Sequence, residues 1–546
     1  MYDASSGLTV ALSRDGKTLA FLAGDGQLYV RRLGQLDPTQ LTKAGRPADL
    51  HFSPDGKWIG YWSGGFNKIP VDEAGSAPTK VVTLSAWNGM TWGYSDDMIY
   101  AIDNALWRAT ADGKPKKIAA GDSTAAGLWT QPSVLPDGKT IAVRMTPTGA
   151  TLALPTGRLA FVSLDNGAIT NTDLEGQYVI GYVDGILVFA RTGGRIMAVR
   201  FDLARRKVIG DPVMMLDNVS FKTTVSAIAA LSDNGTLAYL VGSTDRVMEV
   251  HDERGVLTAT LGEPRRYAYP VWSPDGRRIA LQVTGADATD IWTYDVVTRV
   301  LSRMTQAGGT LPVWTRDGNH ILFSGRDSSS RARVWSVPSD GSRGPSLLAG
   351  TDSIVGGGVV QIGTSPDGRY AILRVVKKAT NSVAAIDGYA VPFGGGPLLP
   401  VDLGGPGASR AYALAVSPNG RWIAYSSSVT GRPEIYVQSF PGGAGKVQIS
   451  ADGGSEPRWS PDGRRLFYRG KGAFRAAELD IAGAMPRVVR TDSLFADTYI
   501  KSTSMPSYDV HPDGKHFLVA RDAGEGAKII VVTNWIAEAR AKLGMK

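Results

Sequence analysis

The chain has 546 residues, 43% of them hydrophobic and 20% charged, with a net charge of +8, 66 glycines, 30 prolines and no cysteine. A chain well beyond roughly 250–300 residues outgrows a single core and divides into domains or a repeat array. The lack of cysteine excludes disulfides, thiolate metal sites and a cysteine nucleophile, and glycine without a three-residue period excludes collagen.

The surplus positive charge is scattered. Its densest runs, Lys114, Lys116 and Lys117 and then Arg205, Arg206 and Lys207, read as solvated loop or strand ends, so no nucleic-acid partner is expected. Met1-Tyr2-Asp3 leads almost directly into an apolar strand at Leu8–Leu12, without the apolar core of a signal peptide. The abrupt start reads as that of a domain cut from something longer. The best candidate membrane span, 178–190, is broken by Asp184 and Gly185 and is too short to cross a bilayer.

A turn follows that first strand and then keeps returning. It reads Ser53-Pro54-Asp55-Gly56-Lys57 before Trp58-Ile59-Gly60-Tyr61, with close copies beginning at Ser13, Leu135, Ser273, Thr315, Ser365, Ser417, Ser460 and His511. A looser copy begins at Ser232, and two frames survive at Ser95 and Val183. Proline presets φ for a type I turn, aspartate favours the next position, and glycine takes the left-handed conformation that completes a hairpin with a bulge. Successive copies lie 40 to 52 residues apart, the length of a propeller blade.

Before each turn stands a short strand, as in Pro270-Val271-Trp272 or Pro457-Arg458-Trp459, and after it a second, as in Trp422-Ile423-Ala424-Tyr425. A third strand, typified by Asp290-Ile291-Trp292-Thr293-Tyr294, and a shorter fourth, such as Gln40-Leu41-Thr42, complete a four-stranded antiparallel blade.

The count is twelve blades. Closed rings commonly hold four to eight, so an all-β fold of tandem β-propellers, two six-bladed rings, is expected. An equal split puts the first propeller at 1–262 and the second at 263–546. How each ring closes is open, because the last unit lacks an obvious fourth strand. Its third, Lys528-Ile529-Ile530-Val531-Val532, runs into a short helix over 534–544. Asn534 is the expected N-cap, Ile536, Ala539 and Leu543 share a face, and Glu538 and Lys542 form an i,i+4 pair. The helix is expected to pack on the second ring.

These Pro-Asp-Gly blades resemble the TolB-like propeller repeats of bacteria. More narrowly, Leu28-Tyr29-Val30-Arg31-Arg32-Leu33, the segment 52–60, the run from Glu434-Ile435-Tyr436-Val437-Gln438-Ser439-Phe440-Pro441 to Glu456-Pro457-Arg458-Trp459, and the ending Tyr508-Asp509-Val510 with His511-Pro512-Asp513-Gly514 and Asn534-Trp535 resemble the sensor region that follows the kinase domain and membrane helix of certain bacterial serine/threonine kinases. The resemblance implies a non-catalytic sensing or docking module, periplasmic or extracytoplasmic. It departs from the full pattern in having no kinase glycine-rich loop, His-Arg-Asp loop or Asp-Phe-Gly loop.

No peptidase elbow Gly-x-Ser-x-Gly occurs either. Of the five histidines, His320, His511 and His516 fall in or beside turns and read as surface residues. Polar residues on the innermost strands are the candidates for ligand contact: Asp49 and His51 in the first ring, and Glu456, Arg458, Gln361 and Asp509 in the second. Asp49 and His51, like Glu456 and Arg458, are two apart and share a strand face. One histidine with one carboxylate falls short of three protein ligands, and each turn offers calcium a single carboxylate, so no metal or cofactor is expected. The turn aspartates Asp55, Asp275 and Asp462 read as caps on their own backbone.

The expectation is a non-catalytic module that binds a protein, small molecule or cell-wall ligand. A metal-dependent lyase or lactonase acting on an anionic sugar or lactone, and a TolB-like protein–protein scaffold, are the alternatives.

Overall fold

The computed structural model describes residues 10–23, 27–42, 48–63, 65–82, 88–102, 104–109, 115–120, 129–145, 157–217, 219–220, 228–242, 245–285, 288–327, 331–351, 358–376, 386–394, 396–401, 411–429, 432–442, 445–483, 485–499, 505–523 and 528–545. Among them are twelve antiparallel sheets, eleven with four strands and one with three. No helix among these residues is long and apolar enough to cross a membrane.

The turn chemistry behaves as its residues dictate. In the Ser273 turn the hydroxyl donates to Asp275 Oδ1 at 2.5 Å and accepts from the Arg278 amide at 2.9 Å, while Gly276 sits at φ +70°. The same bonds recur at Ser13, Ser53, Ser365 and Ser460. The aspartate therefore caps its own hairpin, as expected, and the serine is buried beneath it.

Each hairpin's first strand is the innermost of its blade. In one unit the strands Val10–Leu12, Ala48–Phe52, Met90–Trp92, Trp129–Val134, Tyr178–Val183 and Ala229–Leu231 touch in succession, and the last returns to the first. In the other, Tyr267–Trp272, Thr310–Trp314, Gly358–Thr364, Ala411–Val416, Ser455–Trp459 and Asp509–Val510 close the same way. These are two six-bladed β-propellers. Both faces of each blade are covered by its neighbours, so strands such as Trp422–Ser427 are buried at every position, and a typical interblade core joins Ala20, Leu22 and Leu28 to Ile59, Tyr61 and Ile69.

The units do not divide at residue 262. One comprises Tyr2–Ser243 with Glu525–Lys546, and the other Thr244–Gly524. The reason lies in strand pairing. Arg246–Asp252 pairs along seven residues with His516–Asp522, and Leu257–Arg265 pairs with Arg246–Asp252. The strand expected to complete the first ring's sixth blade thus forms the outer edge of the second ring's last one. The first ring takes its missing strand from the far end of the chain, where Lys528–Val532 pairs with Leu237–Val241.

The terminal helix, Ile536–Lys542, also differs from expectation. It packs on the first ring, where Trp535, Ile536 and Ala539 are buried with Val183, Ile186 and Leu237 and Leu543 packs against them. The Glu538–Lys542 pair forms at 3.2 Å. Asn534 is not the cap: it sits at φ 54°, Trp535 holds the N-cap position, and no side chain caps it.

Candidate functional site

The inner strands carry a repeated distortion. Asp49, Gln131, Tyr269, Leu311, Ala413 and Glu456 all have φ between 51° and 61°, each at a register shift against the second strand of its blade. A β-bulge re-aims a side chain out of its normal alternation, and in two of these strands it turns a carboxylate, Asp49 or Glu456, toward the next blade.

Four of the six sequence candidates engage the backbone of a neighbouring blade. Asp49 accepts from the Met90 amide at 2.9 Å. Gln361 bonds Leu414 twice, accepting from its amide at 2.9 Å and donating to its carbonyl at 2.8 Å. Glu456 accepts from the Ser507 amide at 2.6 Å, and Asp509 from the Trp272 amide at 2.8 Å. His51 is half-buried with Nε2 3.3 Å from Asp49. Inner-strand tryptophans add further latches: Trp314 Nε1 donates to the Val271 carbonyl and Trp459 Nε1 to that of Ala415.

Glu456 and Arg458 share a strand but not a partner. Arg458 lies 3.3 Å from Asp509, whose carboxyl burial pushes up against the opposing pull of that guanidinium. Glu456 instead meets Arg469, a fully buried arginine that also reaches Asp497 at 3.1 Å and Ser507 at 2.8 Å and lies against the rings of Phe474 and Tyr508. Beside this cluster, Glu249 binds His251 at 3.0 Å and Arg521 at 2.7 Å, and His251 meets the Tyr499 hydroxyl at 3.1 Å.

Around one mouth of the second ring's channel the turns form a collar. Five of the six turn glycines lie against the preceding turn: Gly318 against Pro274, Gly368 against Arg316, Gly463 against Pro418, Gly514 against Pro461, and Gly276 against His511. Exposed cations follow the glycines at Arg277, Arg369, Arg421, Arg464 and Lys515. Between the first two turns opens a groove of about 870 Å³, with Asp275, Asp317 and Arg343 on its walls. Arg278 crosses it, donating to the Ser339 carbonyl at 2.6 Å and lying 4.9 Å from the centre of the Trp314 ring. Hydrogen bonds from Ser273 and Thr315 hold the Asp275 and Asp317 carboxyls below the usual range.

The last turn of the collar differs. His511 stands where its sisters have serine or threonine, and His516 opens the second strand where Arg278 and Arg465 stand in two of them. Both Nδ1 atoms face Asp513 Oδ2, at 3.1 and 2.6 Å. Burial would raise the Asp513 carboxyl, but the Lys515 amide and the two imidazoles lower it to about 2. Sequence reading placed both histidines in a surface turn and missed their convergence. The available signal was the replacement of two frame positions of one repeat by histidine.

No family model and no curated protein matches the chain. Among solved structures, it is similar to a protein assigned as TolB from Agrobacterium tumefaciens, at 20% identity and TM-score 0.38 over 52% of this chain and 100% of that one. It is similar to the tricorn protease at 12% identity and TM-score 0.33, over 89% of this chain and 59% of that one. TolB from Acinetobacter baumannii matches at 16% identity and TM-score 0.33, over 61% and 79%. The propeller assignment stands on this chain's own strand pairing.

Proposed function

We propose that the chain is a non-catalytic binding module, a sensor or scaffold, that docks an acidic segment of a protein partner on the turn collar of its second ring. The observation that carries this reading is the division of labour among polar groups. The inner-strand carboxylates and Gln361 are bound to neighbouring blades, whereas the collar exposes Arg277, Arg421, Arg464 and Lys515 beside an open polar groove. Exposed cations attract anionic partners and give an association that weakens with salt, here against the opposing field of the exposed turn aspartates Asp275, Asp317, Asp462 and Asp513. A bacterial envelope setting follows from the resemblance to TolB-like repeats and kinase sensor regions, and belongs to the same proposal.

The test is a melting and calorimetric titration of the full chain with polyglutamate, poly(glycerol phosphate) and a neutral glucan. A ligand at 100 times its dissociation constant stabilises the folded state by about 2.7 kcal/mol. Polyglutamate is expected to raise the melting temperature at low salt and to lose at least tenfold in affinity in the triple variant Arg277→Glu, Arg421→Glu, Arg464→Glu. A response to poly(glycerol phosphate) alone would replace the protein partner by a wall polymer. No response to any anion, or one indifferent to the triple variant, removes the collar as the docking face.

A second reading has one observation in its favour. A metal-dependent lyase or lactonase acting on an anionic sugar or lactone needs a cluster of histidine and carboxylate at a channel mouth, and His511, Asp513 and His516 form one. Turnover of an aldonolactone or a uronate oligomer that EDTA abolishes would favour the enzyme over the binding module.

A further inference from the structure

We propose that His511, Asp513 and His516 form a binding site for one divalent transition-metal ion, of the zinc or nickel class, at the seam where the second ring closes. The three donor atoms lie within 4.8 Å of one another. His511 Nδ1 and His516 Nδ1 stand 3.1 and 2.6 Å from Asp513 Oδ2. Ligands bound tetrahedrally at 2.0–2.1 Å sit about 3.3 Å apart, so small side-chain adjustments bring the three onto one ion. Two imidazoles and a carboxylate suit zinc and nickel, whereas magnesium and calcium prefer oxygen donors alone.

The contacts around His511 fix which ring nitrogen faces the carboxylate. The Asp513 amide donates to His511 Nδ1 at 3.2 Å, which marks that nitrogen as the lone-pair-bearing one. That lone pair is the one a metal would take, so an ion bound there would displace the Asp513 amide and find the facing carboxylate oxygen, 3.1 Å away, as its second ligand. The ring's other nitrogen is turned away. His511 Nε2 lies against Gly276, where an added Cβ would fall 2.5 Å from it, and the ring stands edge-on to Trp272 with centroids 4.8 Å apart. The first blade of the ring thus holds the imidazole with Nδ1 toward Asp513.

The site is open. The His511, His516 and Asp513 side chains are 27%, 36% and 37% exposed, which leaves coordination positions for water or for an anionic group of a bound partner, as open three-ligand sites do. The proposal is independent of what docks on the collar.

The sister turns supply the test. The double variant His511→Ser, His516→Arg restores the residues found at Ser273 and Arg278, so the hairpin keeps a serine cap and a known strand opening. Untagged full-length protein, stripped with EDTA and dialysed, is titrated with Zn(II) and with Ni(II) by calorimetry and by competition with a chromogenic chelator at pH 7.5. The expected result is one ion per chain, with affinity lost at least 100-fold in the double variant while its circular dichroism and melting temperature without metal match the parent. Failure of the parent chain to bind either ion at millimolar concentration overturns the site. So does stoichiometric binding that survives in a folded double variant.

Discussion

The two rings close by opposite means. The first is sealed by apolar contact: Lys528–Val532 adds a strand to Leu237–Val241, and Trp535, Ile536 and Ala539 cover the blade. Gly235, at φ +80°, lies so close to the helix that an added Cβ would come within 2.5 Å of Ile536. The second is sealed by a full four-stranded blade next to buried charge, with Arg469 between Glu456 and Asp497, and Glu249 between His251 and Arg521. Apolar closure loses stability in proportion to the surface removed. A buried ion cluster contributes little net stability when intact, because desolvation offsets attraction, yet removing one partner strands the others. The two seams should therefore fail differently.

The largest effect is expected at Arg469. Arg469→Ala leaves the Glu456 and Asp497 carboxylates buried opposite an apolar gap, and truncating one member of such a cluster costs about 3–5 kcal/mol. Urea unfolding followed at separate tryptophans should show the loss in the transition of the ring formed by Thr244–Gly524. Neutralising the acids as well, with Glu456→Gln and Asp497→Asn, should recover part of it. Equal losses in the single and triple variants would mean that packing against Phe474 and Tyr508 matters more than charge.

Ile536→Ala probes the apolar seam. It removes a side chain that is 5% exposed, and such truncations cost about 2–3 kcal/mol where the site partly collapses. The loss should fall in the transition of the first ring, with the second unchanged. A shift of both transitions together would show that the rings unfold as one cooperative unit, and the contrast between seams would not be separable by this route.

The same contrast explains what the sequence made legible. Turns, blades and blade number are written locally: Ser273 to Arg278 specifies its hairpin through bonds within six residues. Closure is not local. Glu249 and Val519 are paired neighbours 270 positions apart, and the strand Leu257–Arg265 has the same character whichever ring it joins, so an even division of blades misplaced it. The inner-strand candidates were visible as polar residues in apolar strands, but not their partners, because Asp49, Glu456 and Asp509 bind backbone amides, which every residue type but proline supplies. The Arg469 cluster escaped notice because Asp497 and Ser507 reach it from different parts of the chain. The histidine pair was within reach, since His511 and His516 flank Asp513 in one turn, but only a folded hairpin shows that all three converge.

The smallest effect separates the rings by acid. Hydrogen bonds from the turn serines and threonine lower the carboxyls of Asp15 and Asp55 in the first ring and of Asp275, Asp317 and Asp367 in the second. In Asp462 burial opposes the shift and the Ser460 hydroxyl with the Arg464 amide overcomes it. A carboxyl lowered by folding binds fewer protons in the native state than in the unfolded chain, whose aspartates titrate near about 3.9. Its contribution is therefore complete above that pH and lost as pH falls through the folded value. With four such turns against two, the second ring should lose more of its melting temperature between pH 5 and pH 2 than the first. Ser273→Ala isolates one turn. It removes the bond to Asp275 and the acceptor for the Arg278 amide, at a cost of about 1 kcal/mol at neutral pH. That penalty should shrink as pH falls through the folded-state value of the Asp275 carboxyl, below which it is protonated in both proteins and only the amide bond still differs. A penalty that stays constant across the range would assign the serine's whole contribution to the amide and leave the carboxylates of the second ring no more acid-sensitive than those of the first.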